Sequence, residues 1–130
     1  MRWALVAGAW VWVAAMLLFP AAVFPIGHFI CHQRPERSFF IGTTQLPVCA
    51  RCTGLYLGAA VAGPFALALI APLSSARSRR VLALAALPTA VTWTLEFAGL
   101  VPFSNVSRFV AALPLGFAAA WLVLSVFENQ

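Results

Sequence analysis

Cys49-Ala-Arg-Cys52 sets two thiols three residues apart, and Cys31-His32 adds a third thiol and an imidazole in the same polar stretch. From Cys31 to Gly54 the 130-residue chain gathers all three cysteines, one of two histidines, three of eight arginines and one of three acids. Thiolates and neutral imidazole are the ligands of zinc and other thiophilic ions, and a Cys-x-x-Cys turn can point both sulfurs at one ion. Cys31, His32, Cys49 and Cys52 are thus expected to form a tetrahedral Cys₃His set. His28, Cys31 and His32 fall at i, i+3 and i+4, one face of any helix that extends through them. Either imidazole then coordinates while the other stands beside it, or neither takes part.

The same pair serves other chemistries. As a thiol–disulfide couple, Cys49 is the attacking thiol, its acidity raised by a helix start and Arg51, with Cys31 as relay. The chain carries no flavin or nucleotide motif, so that reading requires a redox partner such as a quinone or another thiol protein. If the ion is zinc with an open position, a hydrolase using Glu96 as base is a further alternative. Cys49, Cys52 and Glu96 are the candidate catalytic groups, and whether the chain is an enzyme stays open. An inert disulfide is disfavoured by the odd cysteine count and by the small loop it would close. A Cys-His nucleophile oriented by Asn105 or Glu96 lacks any local signature. Additional Cys and His close to a Cys-x-x-Cys pair put the metal reading first.

The rest of the chain explains how such a site is positioned. Hydrophobic residues make up 63% of it and charged residues 8%, too little polar surface for a water-soluble domain of this length. Apolar runs over about 3–27, 53–73, 81–101 and 109–127 are each near the ~20 residues that a membrane crossing needs. The expected fold is all-α, a single membrane domain built as a four-transmembrane-helix bundle, with a polar site loop at 28–52. The first run is too long and too aromatic for a cleaved signal peptide. Pro20 and Pro25 are expected to kink or end its final turns. Gly54 and Gly58, four apart, let another helix approach closely in lipid, so a homodimer is a possible partner arrangement besides membrane lipid itself.

There is no lysine, and arginines bracket the apolar runs instead of forming a basic stripe, which argues against nucleic acid as a partner. Arg77, Arg79 and Arg80 form the densest positive cluster. By the positive-inside rule they, with both termini, face the inside of the cytoplasmic membrane, and the cysteine loop faces out. Whichever side is inside, the first and third loops share one face. Glu96 precedes Pro102 by six residues, roughly 9 Å below that face. A carboxyl group inside a span needs a partner, and Arg108 or Arg51 could supply it. The polar shell expected around the metal is His28, Arg37, Arg51, Glu96, Asn105 and Arg108.

Cys31-His32-Gln33, Pro35-Glu36-Arg37-Ser38-Phe39, Gly42 and Pro47-Val48-Cys49-Ala50-Arg51-Cys52-Thr53-Gly54, followed by Asn105 and Arg108, resemble a family of small integral membrane proteins of bacteria and archaea known as a domain of unknown function. The resemblance runs from Cys31 to Gly116. In that family an acidic residue, usually aspartate, precedes a Ser-Asn-x-x-Arg turn, and Glu96 matches it here. The resemblance implies a polytopic membrane protein with a cysteine–histidine site, and it supplies no substrate or reaction.

Overall fold

The computed structural model describes residues 1–69 and 74–127. The end of the second expected span, 70–73, and the polar end Glu128-Asn129-Gln130 lie outside the described residues. The chain runs α1 (Arg2–Leu18), α2 (Pro20–Gly27), a 3-10 turn (Pro35–Arg37), β1 (Ser38–Ile41), β2 (Thr44–Cys49), α3 (Ala50–Leu69), α4 (Ser75–Phe97) and α5 (Asn105–Val126). The fold is mostly helical, but an all-α class does not cover the two-stranded hairpin within the site loop.

The first apolar run is broken. Phe19 leaves helical geometry, and Pro20 opens α2 at the position where its missing N–H costs nothing, so α2 turns 117° from α1. Among the described residues, α3 and α5 are long and apolar enough to cross a membrane, and the bent α1–α2 pair makes a third if counted as one span. α4 differs because it ends at Phe97, short of the expected 101, so that every 18-residue stretch of it includes Arg80. Ser74 caps it by accepting from the Arg77 N–H (3.4 Å), which places Arg77, Arg79 and Arg80 in its first turns.

The bundle keeps small residues inside and large ones outside. Ala60, Ala62, Ala66, Ala111, Ala112 and Ala118 are buried. Phe65, Leu69, Leu84, Val110 and Val123 are exposed on the helix faces. That inversion of a water-soluble core suits association in lipid, where close backbone contact replaces the hydrophobic drive. α3 and α5 show it most clearly: a methyl group at Gly54 would overlap the Phe109 carbonyl, one at Gly58 the Leu113 carbonyl, and one at Gly116 the Leu55 carbonyl. The glycines four apart thus face α5 of the same chain. On the other side of α3, Val13 and Met16 of α1 pack with Val48 of β2 and Ala60, and Cys31, Cys52 and Tyr56 rest on that cluster.

The hairpin closes through Gly42, in the left-handed region at φ 61°, and pairs Ser38 with Cys49 and Phe40 with Gln45, with a bulge between Ser38 and Phe40. β2 leads straight into α3. The packing makes a direct prediction. Gly58→Leu should unfold in detergent at least ~10 °C below the parent, since overpacking costs about 1–3 kcal/mol or more and a small domain shifts by several degrees per kcal/mol. Gly8→Ala, which meets open space, should unfold with the parent.

Candidate metal centre

Cys49 ends β2 and Cys52 sits in the first turn of α3, so a strand-to-helix junction fixes the Cys-x-x-Cys pair. Thr53 Oγ1 donates back to the Cys49 carbonyl at 3.0 Å and ties the junction. Cys31 comes from the segment just past α2, and its Sγ accepts the Cys49 backbone N–H at 3.2 Å. The three Sγ atoms all lie within 4.8 Å of one another, and the three cysteines are free and half-buried.

Gln33 brings the third sulfur in. It takes φ 49°, and its buried Nε2 donates to the carbonyls of Phe24 (2.6 Å) and Pro47 (2.8 Å), joining α2 to β2. Gly27 permits this approach, because a Cβ there would strike the Pro47 carbonyl. Gln45 Nε2 donates to the Gln33 carbonyl (2.7 Å) and to Ser38 Oγ (3.2 Å), and Ser38 Oγ donates to the Arg34 carbonyl (2.9 Å). Asn105 Nδ2 then reaches the Ser38 carbonyl at 3.1 Å, which locks the start of α5 to the hairpin.

Behind the cysteines lies a buried ion pair. Arg108 Nε donates to both oxygens of Glu96, at 3.1 and 2.9 Å, and Arg108 Nη1 donates to Asn105 Oδ1 at 3.3 Å. The two side chains are only 4% and 5% exposed, so each charge depends on the other. Arg51 Nη2 stands 3.7 Å from Glu96 Oε2. The guanidinium groups of Arg108 and Arg37 lie 4.9 and 5.8 Å from the Phe103 ring centre.

A cavity of about 310 Å³ opens between these groups. Its lining takes in the three cysteines and His32, together with four arginines, Arg34, Arg37, Arg51 and Arg108. The Cys49 thiol is drawn down from its ordinary value of 9.0 to about 5. A hydrogen bond from the Cys52 thiol is the largest cause, helped by the Cys52 and Arg51 backbone N–H groups and the Cys31 thiol, while burial opposes it.

The expected residues therefore divide. Cys31, Cys49 and Cys52 meet; His32 is exposed and lines the cavity, with its ring nitrogens outside the group of mutually close ligand atoms. His28 lies just past the end of α2, exposed, with its ring edge-on to Phe29, so no helix carries it onto a face with Cys31. Glu96, Asn105 and Arg108 form one network with Arg51 beside it. Sequence reasoning missed the role of Gln33 and the presence of Trp93 in the cavity wall. The spacing of Trp93 to Glu96, i to i+3 on a helix, was the available signal for the second.

The family model described as "Predicted membrane protein (DUF2085)" matches residues 31–122. The chain belongs to this family. An uncharacterized protein of Methanocaldococcus jannaschii is 35% identical over 107 residues, covering 81% of this chain and 68% of its own. An uncharacterized protein of Methanothermobacter thermautotrophicus is 38% identical over 95 residues, covering 72% of this chain and 84% of its own. No solved structure matches the chain. The DUF2085 match begins at Cys31 and ends within α5, so it takes in the cysteines, the hairpin and the Glu96–Arg108 pair, and leaves α1 and α2 outside.

The acidity of Cys49 sets a pH dependence. A depressed thiol is ionised above its own value and protonated below it, so iodoacetamide labelling of metal-free protein should reach half its maximal rate near pH 5. In Cys49→Ser the low-pH labelling should vanish and the remaining reaction should move above pH 8, read by peptide mass spectrometry.

Proposed function

We propose that this is a multi-pass protein of the cell membrane whose Cys31, Cys49 and Cys52 bind a thiophilic metal ion, zinc foremost, in a binding or transport-accessory role. The observation that carries the reading is the third sulfur. A disulfide couple needs only Cys49 and Cys52, yet Gln33, Gly27 and the Cys49 N–H hold Cys31 within 4.8 Å of both. Tetrahedral zinc with Zn–S near 2.3 Å sets its sulfurs about 3.8 Å apart, so small side-chain rotations suffice to close on an ion. The fourth position then opens toward the cavity, where exposed His32 can swing in or a ligand can enter.

In this reading α1, α3, α4 and α5 cross the bilayer, and α2 folds across the end of α1 beneath the hairpin. Arg77, Arg79 and Arg80 lie at the inner face with both termini, and the cysteine site lies at the outer face. The depressed Cys49 thiol supports a second reading, thiol–disulfide exchange, in which Cys49 and Cys52 form a disulfide and pass two electrons and two protons to a quinone or a protein disulfide.

Elemental mass spectrometry on detergent-purified protein separates the two. The metal reading expects about one zinc or copper per chain, with Cys31→Ser lowering occupancy at least tenfold, as Cys52→Ser does. Metal-free protein in which Cys49 and Cys52 oxidise reversibly while Cys31 stays free would establish the redox reading instead.

A further inference from the structure

The cavity beside the cysteines has a lining rich in positive side chains. Four arginines line it, and among the described residues its lining holds no carboxylate. Glu96, behind the wall, offsets one of them, leaving three guanidinium charges that no carboxylate of the lining matches. A zinc ion on three thiolates carries one negative charge, so two remain even with the metal bound. Guanidinium groups gathered at the edge of a membrane bundle repel one another unless something stands between them.

Arg51 supplies the second observation. Its Nε and Nη2 are shut off from solvent on the side of Glu96, where Nη2 forms a loose 3.7 Å ion pair and neither atom makes a hydrogen bond among the described residues, while the rest of the side chain, 23% exposed, lines the cavity. Buried donors on a charged group are rarely left unpaired, because each lost bond costs about as much as removing the group from water. Arg108, by contrast, is held rigidly by Glu96 and Asn105. Arg34 and Arg37 are exposed at its mouth, with Arg37 resting over the Phe103 ring.

We propose that this cavity binds a phosphomonoester group, offered by a monoester lipid headgroup such as that of phosphatidic acid or as free phosphate, with Arg51 and Arg108 at its base and Arg34 and Arg37 at its mouth. The charge decides for phosphate over a carboxylate. A phosphate monoester bears close to two negative charges near pH 7 and presents oxygens that planar guanidinium forks grip in pairs. The cavity's 310 Å³ leaves room for the group to which the phosphoryl is attached. Bound there, the phosphoryl oxygens lie beside the cysteine sulfurs, where the open position of a bound ion could take one of them. The phosphate site itself does not depend on the metal, because the arginine excess persists with or without it.

The test uses the full chain in nanodiscs of phosphatidylcholine at fixed ionic strength, once chelator-treated and once zinc-loaded, with metal content measured on each sample. One arm measures binding of radiolabelled inorganic phosphate. The other measures retention of short-chain phosphatidic acid by native mass spectrometry. Arg51→Gln and the exposed Arg37→Gln should each weaken binding tenfold or more, Arg51→Lys should recover only part of it, and Arg77→Gln, at the far end of α4, should leave it unchanged. Thermal unfolding checks that each variant is folded, and Arg37→Gln keeps the test valid if Arg51→Gln is not. Saturable binding of inorganic phosphate with this pattern supports a free-phosphate site, and binding of phosphatidic acid alone with this pattern supports a headgroup site. Absence of both from folded protein, or binding unchanged in Arg51→Gln and Arg37→Gln, overturns the proposal whatever the zinc content.

Discussion

Lipid offers no hydrogen bonds, so each polar side chain at this depth must find its partner inside the protein or reach the end of the bundle where water begins. Nearly every organised feature of the site follows from that constraint. Glu96 is buried because Arg108 meets it with a two-oxygen grip, and Arg108 is buried because Glu96 and Asn105 satisfy it. Asn105 in turn anchors Ser38, Ser38 receives Gln45, Gln45 holds the Gln33 carbonyl, and Gln33 spans from α2 to β2. The chain of bonds ends at the segment that carries Cys31.

Glycine makes that network geometrically possible. α3 sits close against α5 at Gly54, Gly58 and Gly116, which brings the Cys49–Cys52 junction level with the start of α5 and the ion pair. Gly27 does the same between α2 and β2. Backbone proximity at these places leaves little freedom for the side chains at the top of the bundle, and three sulfurs and four arginines share one small cavity as a result.

Much of this was legible in the chain. Apolar runs read as alternating spans put the first and third loops on one face, so the approach of Asn105 to the cysteine loop, and the pairing of Glu96 with Arg108, could be foreseen without knowing which side is inside. The cysteine grouping was legible from residue type and spacing alone. The hairpin was not foreseen, although a glycine-led two-residue turn between Ser38-Phe-Phe-Ile and Thr44-Gln45-Leu46 is a strand signal. Its hydrophobic alternation disappears in a chain where apolar residues dominate everywhere. The 117° break beside Pro20 was legible in place but not in angle, because a proline ends a helix without saying where the next one points. Nor could spacing tell that Gly54 and Gly58 face α5 of the same chain, since a glycine pair specifies close approach and leaves the approaching helix open.

In the proposed metal centre Cys31 is an equal of the Cys-x-x-Cys pair. X-ray absorption at the zinc edge, on protein purified without added metal and reconstituted in lipid, tests that directly. Three sulfur neighbours near ~2.3 Å with one lighter atom completing the shell is the predicted spectrum, with one sulfur replaced by a lighter atom in Cys31→Ser. A shell of nitrogen and oxygen alone, or one unchanged by Cys31→Ser, would contradict a metal centre assembled from these three cysteines.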